Sequence, residues 1–119
     1  MDLNALVDQI KRRIDYEKVG MILCHQGVVR GVSRDGTPVR GLRVAVNNTR
    51  LEQVIETFKA RPGIVEILIQ INADHDLMVG EDVMALVVAG DMRENVITVL
   101  TELLNIIKKE VTRKTEYPA

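Results

Sequence analysis

Four cations crowd the end of the last long helix that the sequence predicts: Lys108, Lys109, Arg113 and Lys114. Arg93 opens the same helix, and Arg30 follows directly on an earlier strand. Lysines offer compact ammonium groups, and arginines offer planar forks that match phosphate or carboxylate oxygens. Cations collected at one exposed helix end have two uses. They complement the negative end of the helix dipole, or they form an anion site held by charge-assisted hydrogen bonds. The first is the more economical reading of composition alone.

The other reactive side chains are sparse. Cys24 and His25 are adjacent, so on a strand they face opposite ways and cannot form a dyad by themselves. Cys24 is expected to be a small core hydrophobe. His25 and His75 are the only histidines, and with one cysteine they fall short of a closed structural zinc set. Asp74-His75-Asp76 has the types that tune a base or bind a metal, yet it reads as a solvated turn. The segment GVVRGVSRDG is glycine-rich without the order of a phosphate-binding P-loop. No spacing points to a metal or a resident cofactor.

Composition narrows the classes of function. The 119 residues predict one domain spanning 1–119, with enough chain for a core. A formal net charge of -1 sets up no global field for nucleic acid. One Phe and no Trp leave almost no stacking platform for single strands. No apolar run is long enough to span a bilayer. The amphipathic, early-acidic N-terminus lacks the apolar stretch of a signal peptide. A lone cysteine fits a reducing cytoplasm.

The pattern of apolar residues gives the order helix, two strands, helix, two strands, helix. Leu3, Leu6, Val7, Ile10 and Ile14 recur at helical spacing behind a capping Asp2. Residues 19–29 read as a strand, and Asp35-Gly36 marks a hairpin turn into a partner strand at 39–46. Asn47-Asn48-Thr49 caps a helix over 50–60, which Arg61-Pro62-Gly63 stops. Residues 64–71 and 83–89 read as buried strands, with a turn at Val79-Gly80-Glu81-Asp82 between them. Residues 93–110 carry a broad apolar face of Val96, Ile97, Leu100, Leu103, Leu104 and Ile107. Residues 112–119 read as a short polar tail. This is an α+β fold, a mixed sheet with helices covering one face.

These elements, taken in order from about Val19 to Glu116, resemble the large, catalytic subunit of molybdopterin synthase, an α/β hammerhead-like fold. Gly27-Val28-Val29-Arg30 matches the Gly-x-Val-Arg segment after that family's first strand. Arg61-Pro62-Gly63 matches its Pro-containing loop, and Val79-Gly80-Glu81 its Val-Gly-Glu turn. Arg93 and Lys108 are fifteen residues apart, as are the family's arginine and first catalytic lysine. The resemblance implies a cytoplasmic sulfur transferase of molybdenum cofactor biosynthesis. A cyclic pyranopterin monophosphate would receive two sulfurs from the C-terminal thiocarboxylate of a small ubiquitin-like partner. It implies a homodimer of large subunits flanked by two small ones. It implies Lys108 and Lys114 as catalytic residues, with Arg30, Arg93, Lys109 and Arg113 holding substrate. Arg93 and Lys108 lie about 22 Å apart if both are on one helix, so either Arg93 sits on the preceding loop and reaches back or, as we favour, the pocket is completed across the dimer. Some family positions differ: Met92 replaces a histidine, Asn47-Asn48 a Tyr-Pro pair, and Val111-Thr112-Arg113-Lys114 lacks a Pro and a Trp. These replacements keep a second reading open, a scaffold retained as a binding or regulatory subunit.

Overall fold

The computed structural model describes residues 1–119. Helix α1 spans Leu3–Lys11, β1 Met21–Val28, β2 Val39–Val46, α2 Asn48–Lys59 and β3 Ile64–Ile71. There follow β4 Leu77–Met78, β5 Asp82–Gly90, α3 Arg93–Ile106, one π-helical turn at Ile107–Val111 and β6 Thr112–Pro118. The strands form two three-stranded sheets, ordered β1-β5-β3 and β4-β2-β6, and every pairing is antiparallel.

Strand β5 is the spine. Its residues Met84 to Gly90 are buried throughout, as expected of a strand covered on both sides. Alternation sends Met84, Leu86 and Val88 toward α2 and α3, where they meet Val54, Phe58, Val96, Val99 and Leu103. It sends Ala85, Val87 and Ala89 toward Leu6 and Ile10 of α1. Each fully buried aliphatic side chain of this kind contributes about 1.5–3 kcal/mol. Helices therefore cover both faces of this sheet, where the sequence predicts cover on one.

Local signals set most helix boundaries. Asp2 accepts the Ala5 amide at 3.2 Å and starts α1; Asn47 accepts the Arg50 amide at 3.0 Å and starts α2. Gly63, at φ +80°, carries the chain out of α2, and a Cβ there would meet Asp91 Oδ1 and Asn95 Nδ2. Helix α1 ends three residues before the expected Ile14, which is fully exposed. There the chain turns so that Arg13 binds Asp15 at 2.8 Å and Glu66 at 2.6 Å. On α3, Ile97 is exposed and Val99 takes the expected core place.

Two expectations about strands change. The Asp35-Gly36 turn forms, with Gly36 at φ +90° and Val32 bridging Pro38, but it does not join partner strands. Strand β1 enters the first sheet against β5, and β2 enters the second. The reason lies at the chain end: residues 112–118 form β6 and pair with β2 along its length. Polar outward residues disguise this edge strand as a tail. Tyr117 secures it, donating its hydroxyl to Asp76 at 2.7 Å while Arg40 lies 5.0 Å over the ring.

Candidate functional site

A cleft opens where the two sheets meet beside the π turn. It has two adjoining lobes of about 290 and 480 Å³. Arg34, Lys108 and Lys114 line both lobes, over a floor that includes Val83 and Met84. His25 and Arg30 line the larger lobe, and Val44 and Thr112 the smaller. No carboxylate lines either lobe. Of the four cations, Lys114 has an ion-pair partner, Glu116, whose Oε2 lies 3.7 Å from its Nζ at an exposed edge. A concave surface with four cationic side chains and an apolar floor suits an anion with a flat or apolar body.

Each cation is delivered by a different device. Arg30 follows Val29, whose amide donates to Glu81 O at 3.0 Å and whose carbonyl accepts from Gly80 at 2.9 Å. These bonds tie the end of β1 to the Val79-Gly80-Glu81 turn. Arg34 sits in the small turn closed by Ser33 N–H to Thr37 O at 2.8 Å. Asp35 stiffens it, accepting from the Ser33 hydroxyl and from the Thr37 amide at 3.0 Å. Those bonds pull the Asp35 carboxyl down to about 2, the Ser33 hydroxyl being the larger cause. Lys108 is carried by the π turn, and Lys114 stands opposite Val44 on β6, on the side facing the cleft.

The π turn is the link between the two lysines. Ile107, fully buried, anchors it in the core. The Ile107 carbonyl accepts both the Thr112 amide and, at 3.3 Å, the Thr112 hydroxyl. The Val111 carbonyl accepts the Asn47 amide at 2.8 Å, which fixes the turn to the start of α2. An i+5 turn of this kind shifts the phase of the following residues, and such turns gather at functional sites.

The structure thus brings together Arg30, Lys108 and Lys114. It does not bring Lys109 and Arg113 to them. Those two line a separate groove with Ala45, Asn47 and Glu110. Strand alternation sends Arg113 away from Lys114, and Arg50 pairs with Glu110 at 3.0 Å on that side. Arg93 lies at the far end of α3, strongly exposed and 3.3 Å from Glu94.

Two residues in the cleft carry no recognisable motif. Arg34 lies in a turn that reads only as a loop. His25 belongs to the β1 row Met21, Leu23, His25, which faces α3, and this face is visible only once β1 is paired with β5. Burial, and secondarily the charge of Lys108, hold the His25 imidazole below its ordinary value. Cys24 occupies the opposite face and is exposed, not a core hydrophobe as expected, because α1 covers β1 only partly. Around Asp74-His75-Asp76, Asp76 is engaged by Arg43 and Tyr117. No group of three or more His, Cys, Asp or Glu side chains is arranged to hold a metal ion. No helix is long and apolar enough to cross a membrane.

Solved structures share this fold. A molybdopterin synthase structure from Staphylococcus aureus matches with TM-score 0.73 at 18% identity, over 87% of this chain and 77% of that one. A complex of subunits 1 and 2 of molybdopterin-converting factor from Helicobacter pylori matches with TM-score 0.73 at 16% identity, over 100% and 84%. A molybdopterin biosynthesis MoaE protein from Burkholderia ambifaria gives TM-score 0.73 at 17% identity, over 100% and 85%. No curated protein sequence matches the chain. A family model described as MoaE protein matches residues 2–110, a span that holds the first sheet, all three helices, the π-turn Lys108 and the cleft residues His25, Arg30 and Arg34. The chain belongs to the MoaE family.

Proposed function

We propose that this protein acts in molybdenum cofactor biosynthesis as the catalytic large subunit of a molybdopterin synthase. The observation that carries the reading is the cleft itself: Arg30, Arg34, Lys108 and Lys114 converge with no lining carboxylate in a chain of the MoaE family. The substrate is a cyclic pyranopterin monophosphate, and the sulfur donor is the C-terminal thiocarboxylate of a small ubiquitin-like partner. Arg30 and Arg34 grip the phosphate oxygens with charge-assisted bonds. The apolar floor accepts the flat pterin. Lys108 is the residue that acts on the reacting centre, where its ammonium stabilises charge developing on the partner's acyl oxygen. Lys114 assists from the facing strand. The large subunit works as a homodimer, and Arg93 reaches the cleft of the second copy.

The test is conversion of the precursor by purified protein with thiocarboxylated partner. Lys108→Ala is expected to abolish conversion while leaving folding intact, because an exposed lysine at a helix end adds little stability. Full activity of Lys108→Ala would remove the catalytic assignment. A second reading, a binding or regulatory subunit on the same scaffold, is favoured by Met92, which stands where the resemblance to the synthase large subunit implies a histidine. Confirmed partner binding without turnover by the unmodified protein would select it.

A further inference from the structure

His25 sits in the cleft with its imidazole among cations, and nothing in the neighbourhood gives it a counter-charge. From the loop after β1 it faces Arg30 and Arg34, from the π turn Lys108, and from β6 Lys114. Its cross-strand neighbour on β5 is Leu86, with Met84 alongside, and neither carries charge. Along its own strand the same face offers Leu23 and Gly27. Asp82, at the start of β5, is engaged at 2.7 Å by Gln26, whose side chain leaves the opposite face of β1. Glu116 is drawn to Lys114 at the outer edge. No hydrogen bond to a protein group fixes either ring nitrogen, and a polar side chain in a cleft with free donor and acceptor positions is available to a ligand.

We propose that His25 is a fifth anion-contacting residue of this cleft, and that it takes a proton from solvent as a dianionic phosphate group enters. Burial, and beside it the charge of Lys108, disfavour the imidazolium in the empty cleft. A dianion reverses that balance, since it offsets the Lys108 charge and supplies an oxygen acceptor for the N–H. The proton comes from bulk solvent, with no bond to carbon, sulfur or phosphorus made or broken. Burial together with Lys108 lowers the imidazole in the empty protein, in keeping with this. The consequence is proton-coupled recognition: phosphate-class ligands are held more tightly at acid than at alkaline pH. It rests on the cleft being the phosphate end of the substrate site proposed above, and it adds how that site discriminates and responds to pH.

Sulfate is the probe, because it remains a tetrahedral dianion throughout the range in which histidine titrates. Binding is measured by calorimetry at fixed ionic strength at about pH 5 and about pH 8. Histidine C2–H signals are followed by NMR in the same samples. Only two histidines exist, so His75→Gln assigns the signal of His25 directly. The expected result is sulfate binding about tenfold tighter at the lower pH, with the His25 midpoint raised by about one pH unit on saturation. His25→Phe keeps a ring in the position and is expected to bind sulfate with the same weak affinity at both pH values. An unmoved His25 midpoint in sulfate-saturated protein would overturn the proposal, and the unmodified protein supplies that result even if the variant fails to fold. Equal pH dependence in His25→Phe would overturn it too. Absence of sulfate binding at both pH values would overturn it together with the phosphate-binding role of the cleft. Sulfate binding without pterin conversion would sink only the synthase reading, so the two failures are separable.

Discussion

Single side chains in the cleft divide into those that hold charge and those that place it. Arg34 is of the first kind, since it lines both lobes. Arg34→Ala is expected to weaken sulfate or phosphate binding by about tenfold or more, the worth of one charge-assisted contact, with an unchanged melting temperature as the check on folding. Asp35 is of the second kind. Its carboxyl is lowered from 3.8 to about 2, so its support of the turn is complete above 3.8 and is lost as pH falls through about 2. The Thr37 amide shift is expected to inflect near the lower value, and an inflection near 4 would show that Asp35 does not hold the turn. For His25 the sign is reversed. Its folded value lies below the ordinary 6.5, so the unfolded chain takes the proton more readily, and stability falls as pH drops below 6.5. Denaturation followed from pH 8 to about pH 5 is expected to show that loss in the unmodified protein and a smaller one in His25→Phe.

Among the elements, the π turn governs the site most directly. Ile107 anchors it, and Ile107→Ala is expected to cost about 2–5 kcal/mol by opening a cavity under the turn. Thr112→Val removes the hydroxyl that reinforces the Ile107 carbonyl bond while keeping the β-branched shape. It is expected to destabilise by only about 1 kcal/mol, yet to weaken anion binding, because Lys108 precedes Thr112 and Lys114 follows it. Urea titration combined with calorimetry separates the two effects; unchanged anion affinity would show that the turn does not set the spacing of the lysines. At Gly63, Ala is expected to cost about 1–3 kcal/mol, as the backbone holds φ +80° and the added Cβ has no room. The sequence announces α1, α2 and α3 by periodicity and caps, and β3 and β5 by apolar runs. It does not announce the π turn, which Thr112 closes onto the Ile107 carbonyl and the Asn47 amide holds from the start of α2.

Over the whole molecule, two sheets set end to end make an elongated body of 48 × 25 × 24 Å. Its radius of gyration of 15.2 Å exceeds the roughly 13.5 Å usual for a chain of this length. Strands β1 and β3 leave open edges on the first sheet, and β4 and β6 on the second. Unpaired edges invite strand addition, which is the basis for proposing a homodimer. Light scattering at micromolar concentration is expected to give twice the chain mass, and a monomeric mass would remove the dimer. If Arg93 serves the second copy's cleft, mixing inactive Arg93→Ala and Lys108→Ala proteins regenerates intact sites. After subunit exchange, about a quarter of the sites are expected to be active, since half of the dimers are mixed and each has one complete cleft. No recovery after verified exchange would place Arg93 outside the site.

The sequence by itself determined the α+β class, the helix caps, the strands β3 and β5, of which β5 is buried and β3 only half-buried except at Ile67, and the resemblance to the large subunit of molybdopterin synthase. All of these rest on local pattern: a period of 3.6 or 2, a capping side chain, a stop signal or a spaced motif. Tertiary structure decided the rest. It paired β1 with β5 instead of β2, recruited residues 112–118 as an edge strand, and separated Lys108 and Lys114 from Lys109 and Arg113. Pairing of distant strands is a long-range choice, made by which faces can be buried together, and it leaves little trace in the residues on either side of a turn. Neighbours in sequence such as Arg113 and Lys114 part because successive strand residues face opposite ways. His25 and Arg34 join Lys108 only because three separate segments fold against one another. Composition counted the cations, and topology chose which of them share a cleft.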